Sequence, residues 1–437
     1  MQFPNVGRKV RMHSIIAIAG AVLLSPTRTI DGQSSISLAD VYRQADASPR
    51  IKAATALAEA ARARVASAKL PPDPELQLGF MNRELPSLAP MDPLGMTQIQ
   101  LMQMLPLGGK LRLAGRIAEG NADAAKARAT EARWDVRARA AMEFYDLYAV
   151  QSQLTIARET RRLVQDIAKV SQSMYSVGEG KQSDALRAQV EIARMTEEIT
   201  RMESMRLSMW ARLTATLNLP PSGSTIVTAT APLIPDSLPP LELLMTEAEL
   251  TRPMVIAGEK ELASATAQER LAKKEIWPDL QIGVQYGWRS GEMGKERMGS
   301  LMLGASLPVY ARSRQLRMRE EASAMRRMSV ADLETMRAET RGRMAELYAD
   351  YTKARNLRAL YRTTVLPQAE ATVTASFAAY RVGDVNLMTL LDNQMTVNRY
   401  RQELITLDAE QGKAIAEIEM LLGRSLFDPE GGRRAER

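Results

Sequence analysis

The sequence has no cysteine and a single histidine in 437 residues. That histidine, His13, lies in an N-terminal segment where basic residues precede the short apolar run 15–24, the pattern of a secretory signal peptide. We therefore expect residues 1–30 to be a signal peptide that is removed. The mature chain would then hold neither imidazole nor thiol. This excludes Ser–His–Asp and Cys–His catalysis, and it excludes zinc or copper sites built from these ligands.

Phosphate-binding motifs are absent from the sequence as well. It contains neither GxxxxGK[ST] nor GxGxxG, the glycine-rich patterns that bind nucleotides. Carboxylates are present, but no short motif organises them into an acid–base pair. We therefore expect no catalytic residue, no metal site and no cofactor, and we do not expect an enzyme.

The net charge of +7 at pH 7 raises the question of nucleic-acid binding. That function usually shows a basic block, or basic residues interleaved with aromatics. Here the arginines are scattered singly among Ala, Glu and Met. This pattern is typical of solvated helix faces, so we expect no nucleic-acid partner.

Three segments of the chain recur about two hundred residues later. The pairs are "PELQLGF" (74–80) with "PDLQIGV" (278–284), "MLPLGGKLR" (104–112) with "SLPVYARSR" (306–314), and "YSVGEG" (175–180) with "YRVGDV" (380–385). Three landmarks in one order at nearly one offset indicate a tandem duplication.

The duplication divides the chain into two repeats of domain size. We predict a first repeat at 37–217 and a second at 241–425, each with an Ala-rich helix, two strands, a very long helix and a return helix. Pro, Ser, Gly and Thr mark 218–240 as a linker. Residues 426–437 are predicted to be a disordered tail.

Four short segments alternate apolar and polar residues, which is the period of a β-strand. In 280–288, Leu, Ile, Val, Tyr and Trp share one face, and Gln and Gly share the other. The other strands are predicted at 76–80, 97–105 and 301–308, with loops at 83–95 and 289–299.

Two hairpins over a soluble core are one interpretation of these strands. A polar face of Gln and Gly, with aromatics at one strand end, favours a transmembrane barrel instead. Four strands cannot close a barrel with a pore, and open sheet edges are not allowed in lipid. Several chains must then contribute four strands each, and three chains would give twelve.

Two stretches are too long for helices inside a compact domain. No proline interrupts 107–175, which at about 1.5 Å per residue spans on the order of 100 Å. The stretch 313–380 is similar, but Pro367 should kink or loosen it. The predicted fold class is mainly α with a membrane β-barrel: a long α-helical coiled-coil barrel, plus four strands per chain that contribute to a trimeric 12-stranded β-barrel.

Together these features resemble the TolC-type outer membrane efflux channel family. The most specific segments are 366–394, with its Tyr-x-Val-Gly turn, and "PLGGKLR" (106–112), which is similar to the heavy-metal-efflux branch. The resemblance implies a homotrimer in the outer membrane with a long periplasmic extension. It would passively conduct substrates of an efflux or secretion system. The implied partners are a periplasmic adaptor (membrane fusion) protein, an inner-membrane transporter of the resistance-nodulation-division type, and outer membrane lipid.

In this family two helical turns form the periplasmic end, where they meet the adaptor and close the entrance. Carried onto this sequence, the adaptor-binding tips are Tyr175, Val177 and Gly178 in the first turn, and Tyr380, Val382 and Gly383 in the second. Glycine suits a chain reversal because such turns often need a positive φ. With Pro367 upstream, the second turn is where we expect the moving gate.

Asp392 matches a family position that lines the constricted entrance. Three copies around an axis would form an anionic ring, which favours cations; a solvated helix face is the alternative for this residue. Thr389, one turn earlier, is predicted to lie at the same entrance; it stands where a second Asp can occur, which weakens a double-ring constriction. Asp184 takes the related place in the first half, where it lines the entrance or caps the return helix, with Ser183 as N-cap.

Two other classes of protein share some of these features. A periplasmic adaptor is also secreted and rich in coiled coil, but it has one helical hairpin and many more strands. A secreted structural coiled-coil protein would not need period-two strands at matched places in both halves.

Overall fold

The computed structural model describes residues 35–87, 89–90, 95–220, 227–291 and 294–427. The predicted signal peptide (1–30) and residues 428–437 of the predicted tail lie outside the described residues. Among the helices that are described, none combines the length and the apolar character needed to cross a membrane.

The first half begins with a short strand and two helices: β1 (Ser35–Ile36), α1 (Leu38–Ala45) and α2 (Pro49–Ala68). Four strands follow: β2 (Glu75–Met81), β3 (Arg83–Glu84), β4 (Ala89–Pro90) and β5 (Met96–Leu105). Helix α3 (Lys110–Ser176) runs without a break for 67 residues. Helix α4 (Gln182–Thr216) returns beside it.

The second half repeats this order after strand β6 (Thr228–Ala229). It consists of α5 (Leu241–Thr251), α6 (Pro253–Lys274), β7 (Leu280–Gly291), β8 (Gly294–Ala305), α7 (Gln315–Leu360), a π-helical turn (Tyr361–Val365), α8 (Leu366–Arg381) and α9 (Leu387–Leu422). The same element order in both halves agrees with a duplication, while the repeat boundaries themselves stay a prediction.

Each predicted Ala-rich helix is in fact two helices. A proline disfavours helical backbone in the residue before it. Ser48, before Pro49, has ψ 137°, and Arg252, before Pro253, has ψ 122°. Both prolines then begin the next helix, where a missing N–H has no consequence. The prediction of one continuous helix in each half was therefore wrong at Pro49 and Pro253.

The predicted linker contains a strand that contacts the start of the described chain. Within 218–240, β6 pairs in parallel with β1, so that Ser35 lies opposite Thr228. The amide of Thr230 donates to the carbonyl of Ile36 at 2.9 Å. Strand β6 of this connection is therefore attached to the first half.

The four long strands form one antiparallel sheet in the order β2-β5-β7-β8. The register aligns the apolar residues across all four strands, as in the row Leu76, Leu101, Val284 and Leu301. The other face carries the row Gln77, Gln100, Gln285 and Ser300. The predicted strands and their two chemically distinct faces are confirmed. In the single chain, β2 and β8 are the edges of the sheet.

The predicted loop 289–299 is wrong, because most of it is strand. Strands β7 and β8 continue their pairing to Gly291 and Gly294. Arg289 lies opposite Glu296, and its Nε donates to that carboxylate at 2.6 Å. Cross-strand charge pairs of this kind stabilise a hairpin whose residues have little intrinsic strand preference. In 83–95, which we also predicted as a loop, β3 and β4 form a two-stranded piece.

Pro367 coincides with the local loosening that we predicted. The π-helical turn Tyr361–Val365 lies directly before α8, and the amide of Leu366 donates to the carbonyl of Tyr361, five residues back. Proline has no N–H for the usual bond to the residue four positions earlier, and π-helical turns are a common way to absorb this defect. Helix α3 has no equivalent interruption.

Two residues of the predicted tail are packed. Leu426 is buried against Leu244 and Leu421, and Phe427 packs at the edge of the same cluster. The amide of Leu426 donates to Oε1 of the buried Glu419 at 2.7 Å. The end of the described chain is therefore attached to α9.

Candidate functional site

The first helical turn ends α3 with a Schellman motif. The amide of Glu179 donates to the carbonyl of Met174 at 2.9 Å, and the amide of Gly178 donates to the carbonyl of Tyr175 at 3.1 Å. Gly178 has a φ of 83°. These two bonds satisfy carbonyls that the end of a helix would otherwise leave unpaired.

The second turn ends α8 in the same way. The amide of Asp384 donates to the carbonyl of Ala379 at 3.0 Å, and the amide of Gly383 donates to the carbonyl of Tyr380 at 3.2 Å. Gly383 also has a φ of 83°. A Cβ at either glycine would meet no heavy atom within 4 Å. Glycine is needed here for its backbone conformation and not for space.

The two turns lie at the same end of the helices. One cluster of buried residues joins α3, α4, α8 and α9 there: Val164, Ile167, Ala168, Ala188, Tyr380, Leu387, Leu390 and Leu391. The predicted tip residues, although far apart in the sequence, are thus brought to one end of the molecule.

The equivalent residues of the two turns differ in exposure. Tyr380 is 4% exposed and belongs to the buried cluster, whereas Tyr175 is 41% exposed. The two valines are both at the surface, with Val177 68% and Val382 72% exposed. Tyr380 therefore fixes the second turn against its neighbours, and Tyr175 remains accessible.

Thr389 has a capping role in the structure. Asn386 is the N-cap of α9, and its Oδ1 accepts from the amide of Thr389 at 2.9 Å and from its hydroxyl at 3.0 Å. An N-cap oxygen that accepts from the third helical residue is a common way to begin a helix. Thr389 therefore takes part in the cap that stabilises the start of α9.

The start of α4 differs from what we expected. Its N-cap is Lys181, without a side-chain cap, so Ser183 is not the N-cap. Asp184 is half-buried in the first turn of the helix. A carboxylate there is favoured by the helix dipole. This accounts for Asp184 as part of the helix end, and its place at an entrance stays a prediction.

Asp392 is exposed and lines a cleft of about 380 Å³ between α4 and α9. The cleft is lined by Arg187, Glu191, Arg194, Met388, Leu391, Asp392, Met395, Thr396 and Arg399. Neither Asp184 nor Thr389 is among these lining residues. The structure therefore separates the three predicted entrance residues, and only Asp392 faces this opening.

Three arginines share the cleft with Asp392, and the sequence analysis missed them. Arg194 pairs with Glu191 at 3.0 Å. Three guanidinium groups against two carboxylates leave one positive charge in the cleft of a single chain. Asp392 is thus a negative group in a positive surrounding, which moderates the cation preference expected from an isolated aspartate ring.

The "PLGGK" segment lies at the other end of α3, where the strands meet the helices. Lys110 is buried, and its Nζ donates to Oδ1 of Asp279 at 2.8 Å and to the carbonyl of Trp277 at 2.9 Å. Glu275 lies 3.6 Å from the same Nζ. Gly108 and Gly109 have φ of 70° and 77°, which lets the chain turn sharply into α3. This segment joins the first half of the chain to the second.

Metal binding has no obvious location in the described part of the chain. No group of three or more His, Cys, Asp or Glu side chains there could hold a metal ion.

Comparison with known proteins identifies the family to which the chain is similar. The family model "Outer membrane efflux protein" matches residues 41–219 and 244–424, which is most of the chain and covers both halves. The cobalt-zinc-cadmium resistance protein CzcC of Cupriavidus metallidurans is 23% identical over 322 residues, covering 73% of this chain and 75% of that protein. The pyoverdine export outer membrane protein OpmQ of Pseudomonas putida is 22% identical over 289 residues, covering 63% of this chain and 59% of that protein.

The fold is also similar to that of solved structures. The outer membrane protein VceC of Vibrio cholerae superposes with a TM-score of 0.75 at 16% identity, covering 89% of this chain and 96% of that one. At this identity the likeness concerns the fold alone. The family match, by contrast, applies to both halves of the chain. The chain belongs to the outer membrane efflux protein family, and it is an efflux channel of the outer membrane and not an enzyme.

Proposed function

We propose that three copies of this chain close one twelve-stranded barrel in the outer membrane and one helical tunnel in the periplasm. Channels of this family work with a periplasmic adaptor and an inner-membrane pump. Here the pump would be of the resistance-nodulation-division type. The tunnel itself would be passive, with the energy supplied by the pump.

The four-stranded sheet is the observation that carries this proposal. Its apolar face is exposed in the single chain; Leu76, for example, is 66% and Leu303 71% exposed. A contiguous apolar surface of this kind fits lipid better than water. The opposite face, with glutamine and glycine, suits the lining of a pore. Because β2 and β8 are unpaired edges, the sheet needs further strands to be stable in a membrane.

We place the adaptor at the two turns. Their exposed Val177 and Val382 give each tip an apolar contact, and the shared Schellman geometry presents both in the same way. A double Val177→Asp and Val382→Asp variant is expected to weaken co-purification with the adaptor. It should leave the conductance of the purified channel unchanged. Loss of conductance, or unchanged adaptor binding, would contradict this role.

Asp392 is proposed to line the entrance. In water, an ion that passes about 4–8 Å from one carboxylate gains roughly 0.5–1 kcal/mol, which corresponds to about a two- to fivefold preference. In planar lipid bilayers, Asp392→Ala should therefore lower the cation-to-anion permeability ratio by about this factor, or raise the conductance. Asp384→Ala is the control, because Asp384 lies in the second turn and is not a lining residue of the cleft. No change in either quantity for Asp392→Ala would refute the entrance role.

The two relatives are named for different substrates. One is named for cobalt, zinc and cadmium resistance, and another for pyoverdine export. Similarity to these two relatives therefore does not single out one substrate. We propose that this chain supplies the conduit and that the pump selects the substrate.

A further inference from the structure

The Lys110 contact lies where two neighbouring strands of the sheet meet their helices. Lys110 belongs to the turn between β5 and α3, and its partner Asp279 lies in the connection between α6 and β7. Strands β5 and β7 are paired in the sheet, and they come from different halves of the chain. This ion pair therefore joins the end of β5, in the first half, to the start of β7, in the second half.

The duplication places residues that correspond in charge to Lys110 and Asp279 at the two edge strands of the same sheet. Lys110 in "LPLGGKLR" aligns with Arg312 in "LPVYARSR", and Arg314 follows two residues later. Asp279 in "PDLQIGV" aligns with Glu75 in "PELQLGF", and Asp73 precedes it by two residues. All four side chains are exposed, and in the described part of the chain none of them has a salt-bridge partner.

These two charged groups cannot meet within one chain. The basic group follows β8 and the acidic group precedes β2, and these strands are opposite edges of the sheet. Three strand spacings of about 4.8 Å separate the edges by about 14 Å. Neighbouring strands alternate in direction, and four is an even number, so β8 of one copy would lie antiparallel to β2 of the next, as β5 lies beside β7.

From this arrangement we infer that Arg312 and Arg314 pair with Asp73 and Glu75 of a second copy of the chain at the strand–helix junction. The inference rests on the proposed trimer. It identifies the contact that closes the ring: three identical salt-bridge clusters between chains would alternate with the three Lys110–Asp279 pairs within chains. The six junctions around the barrel would then carry equivalent charges.

Cysteine cross-linking tests this pairing directly, since the sequence contains no native cysteine. The full chain with Arg312→Cys and Glu75→Cys is purified in detergent and treated with a short thiol-reactive cross-linker. We expect covalent trimers on a denaturing gel, because each chain donates one cysteine to each neighbour. Lys110→Cys with Asp279→Cys is the intrachain comparison, and it should migrate as a monomer. Arg312→Cys with Glu59→Cys, which uses an exposed carboxylate within α2, should give no trimer.

A charge exchange provides the second test. Arg312→Glu with Arg314→Glu should reduce the trimer fraction measured by native mass spectrometry. Adding Asp73→Arg and Glu75→Arg to the same chain should restore it. One contrary result is a trimeric wild type whose Arg312→Cys, Glu75→Cys variant forms no covalent trimer. Another is a trimeric wild type whose charge variants neither lose nor regain the trimer fraction. Either result would overturn the pairing and leave the proposed trimer standing. A monomeric wild type in the same measurement would overturn the proposed trimer together with the pairing.

Discussion

Gly412 of α9 lies directly against the ring of Tyr145 in α3, so adding one methyl group there should destabilise the fold. An ideal Cβ at Gly412 would lie 2.2 Å from Cε1 and Cζ of Tyr145 and 2.8 Å from its Cδ1. Favourable carbon–carbon contacts need about 3.5–4.0 Å. The ring is buried and packs edge-on against Phe144 at a centroid distance of 5.8 Å, so displacing it would disturb that packing.

The size of the effect follows from two opposing terms. Overpacking a tight core costs about 1–3 kcal/mol and sometimes more, and the severe overlap at Gly412 favours the upper end. Alanine gains about 1 kcal/mol over glycine in a helix interior. Gly412→Ala should therefore lower the free energy of unfolding by about 2 kcal/mol. Gly342→Ala in α7 is the matched control, because a Cβ there meets nothing within 4 Å, and it should raise stability by about 1 kcal/mol.

Denaturant unfolding followed by circular dichroism at 222 nm would measure this difference of about 3 kcal/mol between the two variants. All variants are compared in one detergent and at one protein concentration, because assembly makes stability concentration-dependent. Tyr145→Leu, which removes the clashing ring atoms, should cost less in the Gly412→Ala background than in the wild type. If Gly412→Ala is as stable as Gly342→Ala, the close approach of α3 and α9 is wrong.

Two further predictions concern the second turn and the end of the chain. Gly383→Ala should weaken the second turn by about 1–2 kcal/mol, because alanine is strained at positive φ, and Gly383→Asn should weaken it less. The rate of limited proteolysis at the turn should therefore be higher for the alanine variant than for the asparagine variant. Equal cleavage rates for the two variants would contradict this prediction. Burial raises the pKa of Glu419, so the neutral form is more favoured in the folded chain than in the unfolded chain. That preference contributes stability below the ordinary value of 4.5, and it is lost as the pH rises through the raised pKa. Glu419→Gln keeps an oxygen for the amide of Leu426, so its stability relative to the wild type should improve with rising pH in this range; a difference in unfolding free energy that does not vary with pH would refute the assignment.

The sequence predicted the strands well because a sheet with two different faces needs strict alternation. That pattern identified both β5 and β7 and their apolar faces. It did not predict where β7 and β8 end, because Arg289 and Glu296 are stabilised by pairing across the hairpin and not by their own strand preference. The pairing of β1 with β6 could not be predicted from the sequence either, since two-residue strands leave no periodic pattern.

The two turns were predictable because a positive φ restricts the choice of residue. Gly178 and Gly383 occupy the same position of the same motif, and the repeated sequence identified both. The cleft around Asp392 was not predictable in this way. Its arginines come from α4 and α9, and only the packing of these helices brings Arg187 and Arg399 to one opening. A charge count along the sequence could not have found them.

The closure of the barrel between chains is the central claim, and an electron cryomicroscopy map of the purified protein in a lipid nanodisc tests it most directly. We expect three copies around one axis, with β8 of each chain hydrogen-bonded to β2 of the next in a twelve-stranded barrel, three chains of four strands each. A particle in which β2 and β8 of the same chain pair with each other, or in which both edges stay open, would contradict it.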